Sequence, residues 1–218
     1  MKILNISFAM LISMVFLSSC GGPKVDGILS AKELAEIKVL PADKDVKELS
    51  AEEQAKTIKM VRKAAEFYSS DSFLKASLLA FDPEDRKMHE KAVEQTKKIM
   101  EKSKEFFADD NKVKILLDDM VPLDVVEYMM KEIKTAEIAL SKEADIIKHT
   151  KASKDKPKDS KEALEAKAFG ESLQREIKEE IKKYLNIDDA RLDHLGNAVM
   201  REFITNLAKA QGQPIAQN

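Results

Sequence analysis

Residues 121–147 read VPLDVVEYMMKEIKTAEIALSKEADII, and this stretch decides the fold. Val126, Met129, Ile133, Ala136, Leu140, Ala144 and Ile147 recur three and four apart, the 3.6-residue period of a helix with one apolar face. Pro122 stands at the first helical position, where a missing N–H costs nothing. The spacing predicts one long helix that starts at Val121-Pro122-Leu123-Asp124.

Working back from it, the run KVKILLDDM at 112–120 is short and apolar and reads as a further helix. Asp82-Pro83-Glu84-Asp85 reads as a helix start, with Asp82 as N-cap, proline next and acids in the first turn. That helix is expected to reach Ala108, on a stripe of Met88, Ala92, Thr96, Ile99, Ser103 and Phe106. Residues 73–81 form a short segment dense enough in apolar side chains to be buried. Ser69-Ser70-Asp71-Ser72 before it interrupts a helix, because these side chains compete for backbone hydrogen bonds. Ser30-Ala31-Lys32-Glu33 and Ser50-Ala51-Glu52-Glu53 have the spacing of capping boxes, each opening a helix.

Forward of the central stretch, 150–160 (TKASKDKPKDS) is a lysine-rich segment with nothing large to bury, a linker or a long loop. Ser160 lies in the next cap, ahead of the row Phe169, Leu173, Ile177, Ile181 and Leu185. Asp188 caps a last helix carrying Leu192, Leu195, Val199, Phe203 and Leu207, and 211–218 are expected to fray. The expectation is an all-α bundle of about five or six amphipathic helices over 30–210. A break at 150–160 is open, but two helices alone bury too little apolar surface to form a second domain.

Composition agrees. Glycine and proline number six each and 35% of residues are charged, a balance that favours helices. Lysine plus arginine (37) nearly match aspartate plus glutamate (39). A net charge of -2 gives no support to nucleic-acid binding and does not indicate a polyanionic or membrane-surface partner.

Candidate chemistry is sparse. His89, His149 and His194 are not preceded at three residues by glutamate, so the Glu-x-x-His units of a di-iron bundle are absent. Met88-His89-Glu90 starts like a zincin and lacks the second histidine. His149 follows Asp145 by four, a spacing for a helix-surface pair. Met100, Met129 and Met130 sit in apolar stripes and read as core. Glu90, Glu94 and Glu101 lie on a lysine-rich helix, with Glu94–Lys98 and Glu179–Lys183 spaced as i, i+4 pairs. No cofactor, metal site or catalytic group is expected, and the chain reads as a non-enzyme.

The first residues, MKILNISFAMLISMVFLSSCGG, have a basic start at Lys2, a short apolar run and small residues before Cys20, the single cysteine. The run is too short for a comfortable transmembrane span. Leu17-Ser18-Ser19-Cys20 resembles the lipobox of bacterial lipoproteins. The resemblance implies a signal peptide over 1–19, cleavage between Ser19 and Cys20, diacylglycerol on the Cys20 thiol and acylation of the new amine. Gly21, in place of the aspartate typical of inner-membrane retention, then favours the outer membrane of a Gram-negative host. Residues 20–29, rich in glycine and proline, read as a flexible lipidated tether. The start Cys20-Gly21-Gly22-Pro23-Lys24-Val25-Asp26 is also similar to that of small proteobacterial envelope lipoproteins, which implies envelope residence and no activity.

The function expected from this is a membrane-anchored envelope lipoprotein whose helices serve as a protein-interaction or scaffolding module. Its partners would be the membrane, through lipid on Cys20, and an envelope protein. The alternatives are a ligand-binding or toxin-neutralising protective lipoprotein and, as a minor class, an envelope hydrolase.

Overall fold

The computed structural model describes residues 25–79, 81 and 85–212. These form an all-α bundle. Its elements are α1 (Ala31–Lys38), α2 (Ala51–Ala65), α3 (Asp71–Leu78), α4 (Arg86–Ala108), α5 (Asp110–Leu117), α6 (Pro122–Leu140), α7 (Glu143–Ser153), α8 (Lys161–Leu185), α9 (Asp189–His194) and α10 (Met200–Ala210). Short 3₁₀ turns occupy Val46–Glu48 and Glu66–Ser69, and a π turn, Leu195–Val199, joins α9 to α10.

The axis of the bundle is α6. Its expected stripe of Val126, Met129, Ile133, Ala136 and Leu140 is buried, but so are Val125, Tyr128, Met130, Ile138 and Ala139 on its other sides. A segment buried on every side, as 125–130 is, belongs to a core. Helices α1, α2, α3 and α8 and the π turn pack against α6, while Lys131, Glu132, Lys134, Thr135 and Glu137 stay half-buried. The expected single helix over 121–147 is two: α6 ends at Leu140, and α7 starts at Glu143 after Ser141 and Lys142. The Ser141 hydroxyl donates to the Ile138 carbonyl at 3.0 Å, drawing the chain out of the helical ladder. Breaks of this kind make the segments shorter and more numerous than five or six.

Local start signals hold where the side chain caps its own turn. Ser30 and Ser50 both form complete capping boxes with Glu33 and Glu53. Ser160 and Asp188 cap α8 and α9, and 112–120 is largely helical, in α5. Ser70 ends the 3₁₀ turn and caps α3, accepting from the Phe73 N–H at 3.2 Å. One start moves: the cap of α4 is Asp85, whose carboxylate accepts from the Met88 N–H at 3.1 Å, while Asp82 lies outside the described residues.

Glu33 shows what such a cap contributes. Its carboxylate accepts from Lys63 Nζ at 2.5 Å and from the Ser30 N–H and hydroxyl at 2.8 and 2.7 Å. The lysine bond first, then the serine bonds, hold its pKa down at about 2, against 4.5 ordinarily. A depressed carboxyl stabilises the fold above its unfolded pKa, and that contribution is lost as pH falls from about 4.5 toward 2. Glu33→Gln is expected to cost on the order of 1 kcal/mol at pH 7, after allowance for solvent screening. The deficit should close as the two proteins are compared by urea unfolding at pH values approaching 2.

The apolar core is contiguous across 150–160. Leu173, Ile177, Ile181, Leu185, Leu192 and Phe203 from the C-terminal half join Val61, Phe67, Val113, Leu116 and Ile133 in one cluster. The 150–160 segment is the end of α7 and a loop to α8. The chain closes after α10 with Gly212 at φ +68°, and 213–218 lie outside the described residues.

The described part of the expected tether is a correction. Val25 and Leu29 are 3% and 1% exposed, as deep as the helix interior. The Leu29 N–H donates to Met130 Sδ at 3.4 Å, and the Tyr184 hydroxyl donates to the Leu29 carbonyl at 2.9 Å. Gly27 makes this possible. It has φ +81°, and a Cβ there would stand 2.6 Å from the Ala64 carbonyl oxygen. Glycine here serves close approach and not looseness.

Candidate functional site

The strongest concentration of buried charge lies where the start of α6 meets α1 and α9. Asp124 and Glu127 sit one turn apart on α6, in the run Asp124-Val125-Val126-Glu127. Because residues 125–130 of α6 are enclosed, Glu127 is carried inside with its apolar neighbours, its side chain 2% exposed. A carboxylate in that position requires a cation and hydrogen bonds.

Arg191 supplies them from α9. Its Nε donates to Glu127 Oε2 at 2.9 Å. Its Nη2 lies 2.8 Å from Glu127 Oε2 and 2.6 Å from Asp124 Oδ1. The Nη2 contacts are off the line of a good hydrogen bond and act mainly as ion pairs. Burial opposes the charge on Arg191, but the close contact with Asp124 and the field of Glu127 outweigh it and hold the guanidinium above its ordinary pKa. Lys38, the last residue of α1, places Nζ 3.6 Å from Glu127 Oε1 and donates to the Leu185 carbonyl at 2.5 Å, at the end of α8. His194 Nε2 stands 3.4 Å from Asp124 Oδ2.

The arrangement is a clamp. It ties α1, α6, the end of α8 and α9 together through two carboxylates, and the carboxylates are occupied in doing so. An aspartate–histidine pair is part of a nucleophile-activating triad, yet Asp124 is shared with Arg191, which lowers its capacity to orient the His194 ring. The geometry is that of an ion network closing a helix junction.

A second polar anomaly lies further along α6. Tyr128 is 1% exposed and its ring packs against Phe203 at 5.1 Å between centroids. Its hydroxyl has no hydrogen-bond partner among the described residues, and burial drives its pKa upward. Tyr184 on α8, half-buried, is pushed up to about 12 by burial first and by Glu137 and Glu33 next.

The other singled-out residues scatter. His149 on α7 stacks on Phe169 of α8, with centroids 4.2 Å apart. His89 on α4 has a buried, unpartnered Nδ1 among the described residues. His194 faces Asp124 across 70 residues of sequence, not its neighbour Asp193. Met129 and Met130 are fully buried and Met100 packs at the edge of the core. Glu94 pairs with Lys98 as its spacing predicts. Glu179 pairs with Lys182 at 2.7 Å and Glu180 with Lys183 at 3.9 Å, so the expected Glu179–Lys183 pairing is displaced by one residue.

Among the described residues no group of three or more His, Cys, Asp or Glu is placed to hold a metal, and no helix is long and apolar enough to cross a membrane. Ser19 and Cys20, with the whole of 1–24, lie outside the described residues. Sequence reasoning did not single out the Glu127–Arg191–Lys38 network. Its one visible signal is a glutamate set in the apolar string VVEYMM. No protein-family model, curated protein or solved structure matches this chain.

Proposed function

We propose that this chain is a lipid-anchored lipoprotein of the bacterial envelope whose helical body works as an interaction or scaffolding module. The observation that supports it most is Leu17-Ser18-Ser19-Cys20 at the end of a short apolar run, with Cys20 the single cysteine of the chain. The clamp at Glu127 adds support for the non-catalytic part. Its charged groups hold helices to one another, and the body they make is a firm platform for surface contacts.

The packing of 25–29 bears on how such an anchor would hold the body. Residues 20–24 can span at most about 17 Å between Cys20 and the packed segment. Two or more acyl chains hold a protein stably on a bilayer where one chain is marginal. The body would therefore ride close to the lipid headgroups.

Expression of the full chain with radiolabelled palmitate tests this. The wild type is expected to incorporate label and fractionate with the envelope membranes. Cys20→Ala should lose the label, accumulate unprocessed and show less than a tenth of the wild-type acylation. Retention of label in Cys20→Ala would overturn the anchor assignment.

A further inference from the structure

The antiparallel pair α7–α8 leaves the body of the bundle. Lys142 pairs with Glu176 and His149 stacks on Phe169, which fixes the register of the two helices. Ile146 and Leu173 are the last buried residues at the base, and nothing in 147–172 is buried. Phe169 still packs at the edge of the core, and from there back to Lys161 α8 extends about 12 Å further. Tyr184, which holds Leu29, lies at the other end of α8, about 35 Å from Lys161. The arm therefore points away from the place where the N-terminal segment is pinned.

The tip of the arm is basic. Residues 148–161 hold Lys148, Lys151, Lys154, Lys156, Lys158 and Lys161 against Asp155 and Asp159. The tip is thus +4 with His149 neutral, on a chain of net charge -2, so everything else sums to -6. Whole-chain balance conceals this local excess, which the fold sets on one projection. Lys161 and Glu165 pair loosely at 3.8 Å, and Glu162 also lies in the first turn of α8. The lysines need not be unpaired, because a field at a distance sums over all the charges.

The composition of the tip selects the partner. It has no arginine, no Phe, Tyr or Trp, and no aliphatic residue larger than Ala152 and Pro157. Protein interfaces are anchored by aromatic residues and arginine and are depleted in lysine. Bidentate phosphate recognition also calls for arginine. Lysines on long stems around a proline turn suit a diffuse, fluid negative surface, to which each contributes additively and with strong salt dependence. We propose that the tip of the α7–α8 arm docks on an anionic phospholipid surface, as a contact point separate from the N-terminal segment. This holds whether or not Cys20 is lipidated.

The test uses residues 21–218, which contain all of the described residues and lack Cys20. Binding is followed by cosedimentation with vesicles of phosphatidylcholine alone and of equal parts phosphatidylcholine and phosphatidylglycerol. Partitioning into the anionic vesicles is expected to be at least tenfold greater, and to collapse in 0.5 M salt. Lys151→Glu/Lys156→Glu/Lys158→Glu should lower it at least tenfold with an unchanged melting temperature, since all three side chains are exposed. Lys87→Glu/Lys91→Glu/Lys98→Glu on α4 makes the same change in net charge and should retain most of the binding. Equal losses in the two triple variants, equal binding to both vesicles, or tighter binding to duplex DNA at the same salt would each overturn the proposal.

Discussion

Arg191→Met is expected to destabilise the protein by about 3–5 kcal/mol, the range for removing one partner of a buried pair. The cost arises less from a lost attraction than from what remains. Glu127 is 2% exposed at its side chain and would keep Lys38, 3.6 Å away, as its remaining cation. Lys38 is 32% exposed and already donates to the Leu185 carbonyl, so it cannot replace a guanidinium fork. Asp124 would lose its Arg191 contact and keep only the 3.4 Å approach of His194. Urea unfolding at pH 7 measures the loss, and Arg191→Lys should recover only part of it. The double variant Glu127→Met/Arg191→Met supplies the decisive comparison. If the network is a desolvation problem solved by pairing, the double variant will be more stable than Arg191→Met alone. A double variant as unstable as the sum of the two single ones would refute that account.

Gly27→Ala is expected to cost about 3 kcal/mol or to undock 25–29 altogether. A left-handed backbone costs an L-residue roughly 1–2 kcal/mol. Steric conflict adds to that, because the new methyl would meet the Ala64 carbonyl oxygen at 2.6 Å and the Phe67 nitrogen at 3.0 Å. Both are backbone atoms, at the end of α2 and in the 3₁₀ turn that follows, and neither can rotate aside. Hydrogen exchange separates the two outcomes. Undocking would expose the Leu29 amide, now donating to Met130 Sδ, while the amides of α6 keep their protection. Asp26→Ala, one residue away and exposed, is the control and should change stability by under about 0.5 kcal/mol.

Those two sites also mark where the sequence stops being readable. Capping boxes at Ser30 and Ser50 are legible because donor and acceptor lie three residues apart and the chemistry closes locally. Glu94–Lys98 is legible for the same reason. The central position of α6 is half legible. Its apolar stripe is plain, and Val125, Tyr128 and Met130 signal burial of its first half on other sides. Lys131, Glu132, Lys134 and Glu137, which end half-buried, read instead as a solvated face. Arg191 meeting Glu127 across 64 residues is not legible, because either charge alone looks like an ordinary solvated side chain. At 21–29 the glycines and proline read as breakers, and the error lies in equating irregular backbone with slack. Val25 and Leu29 flank Gly27, and the glycine exists to let them in. The basic arm escapes a whole-chain charge count because its excess is cancelled by acids elsewhere in the fold.

The burial of Val25 and Leu29 bears on how the molecule responds to force. A pull on the chain at residue 25 meets no loose segment to straighten. It passes at Leu29 into two elements at once, α6 through Met130 and α8 through Tyr184. Tension entering from the N-terminal side is thus shared by the axis of the bundle and by the longest helix, the one whose far end bears the arm. Before the molecule can lengthen there, core side chains must separate, so it should yield abruptly at a threshold load and not extend gradually like a spring.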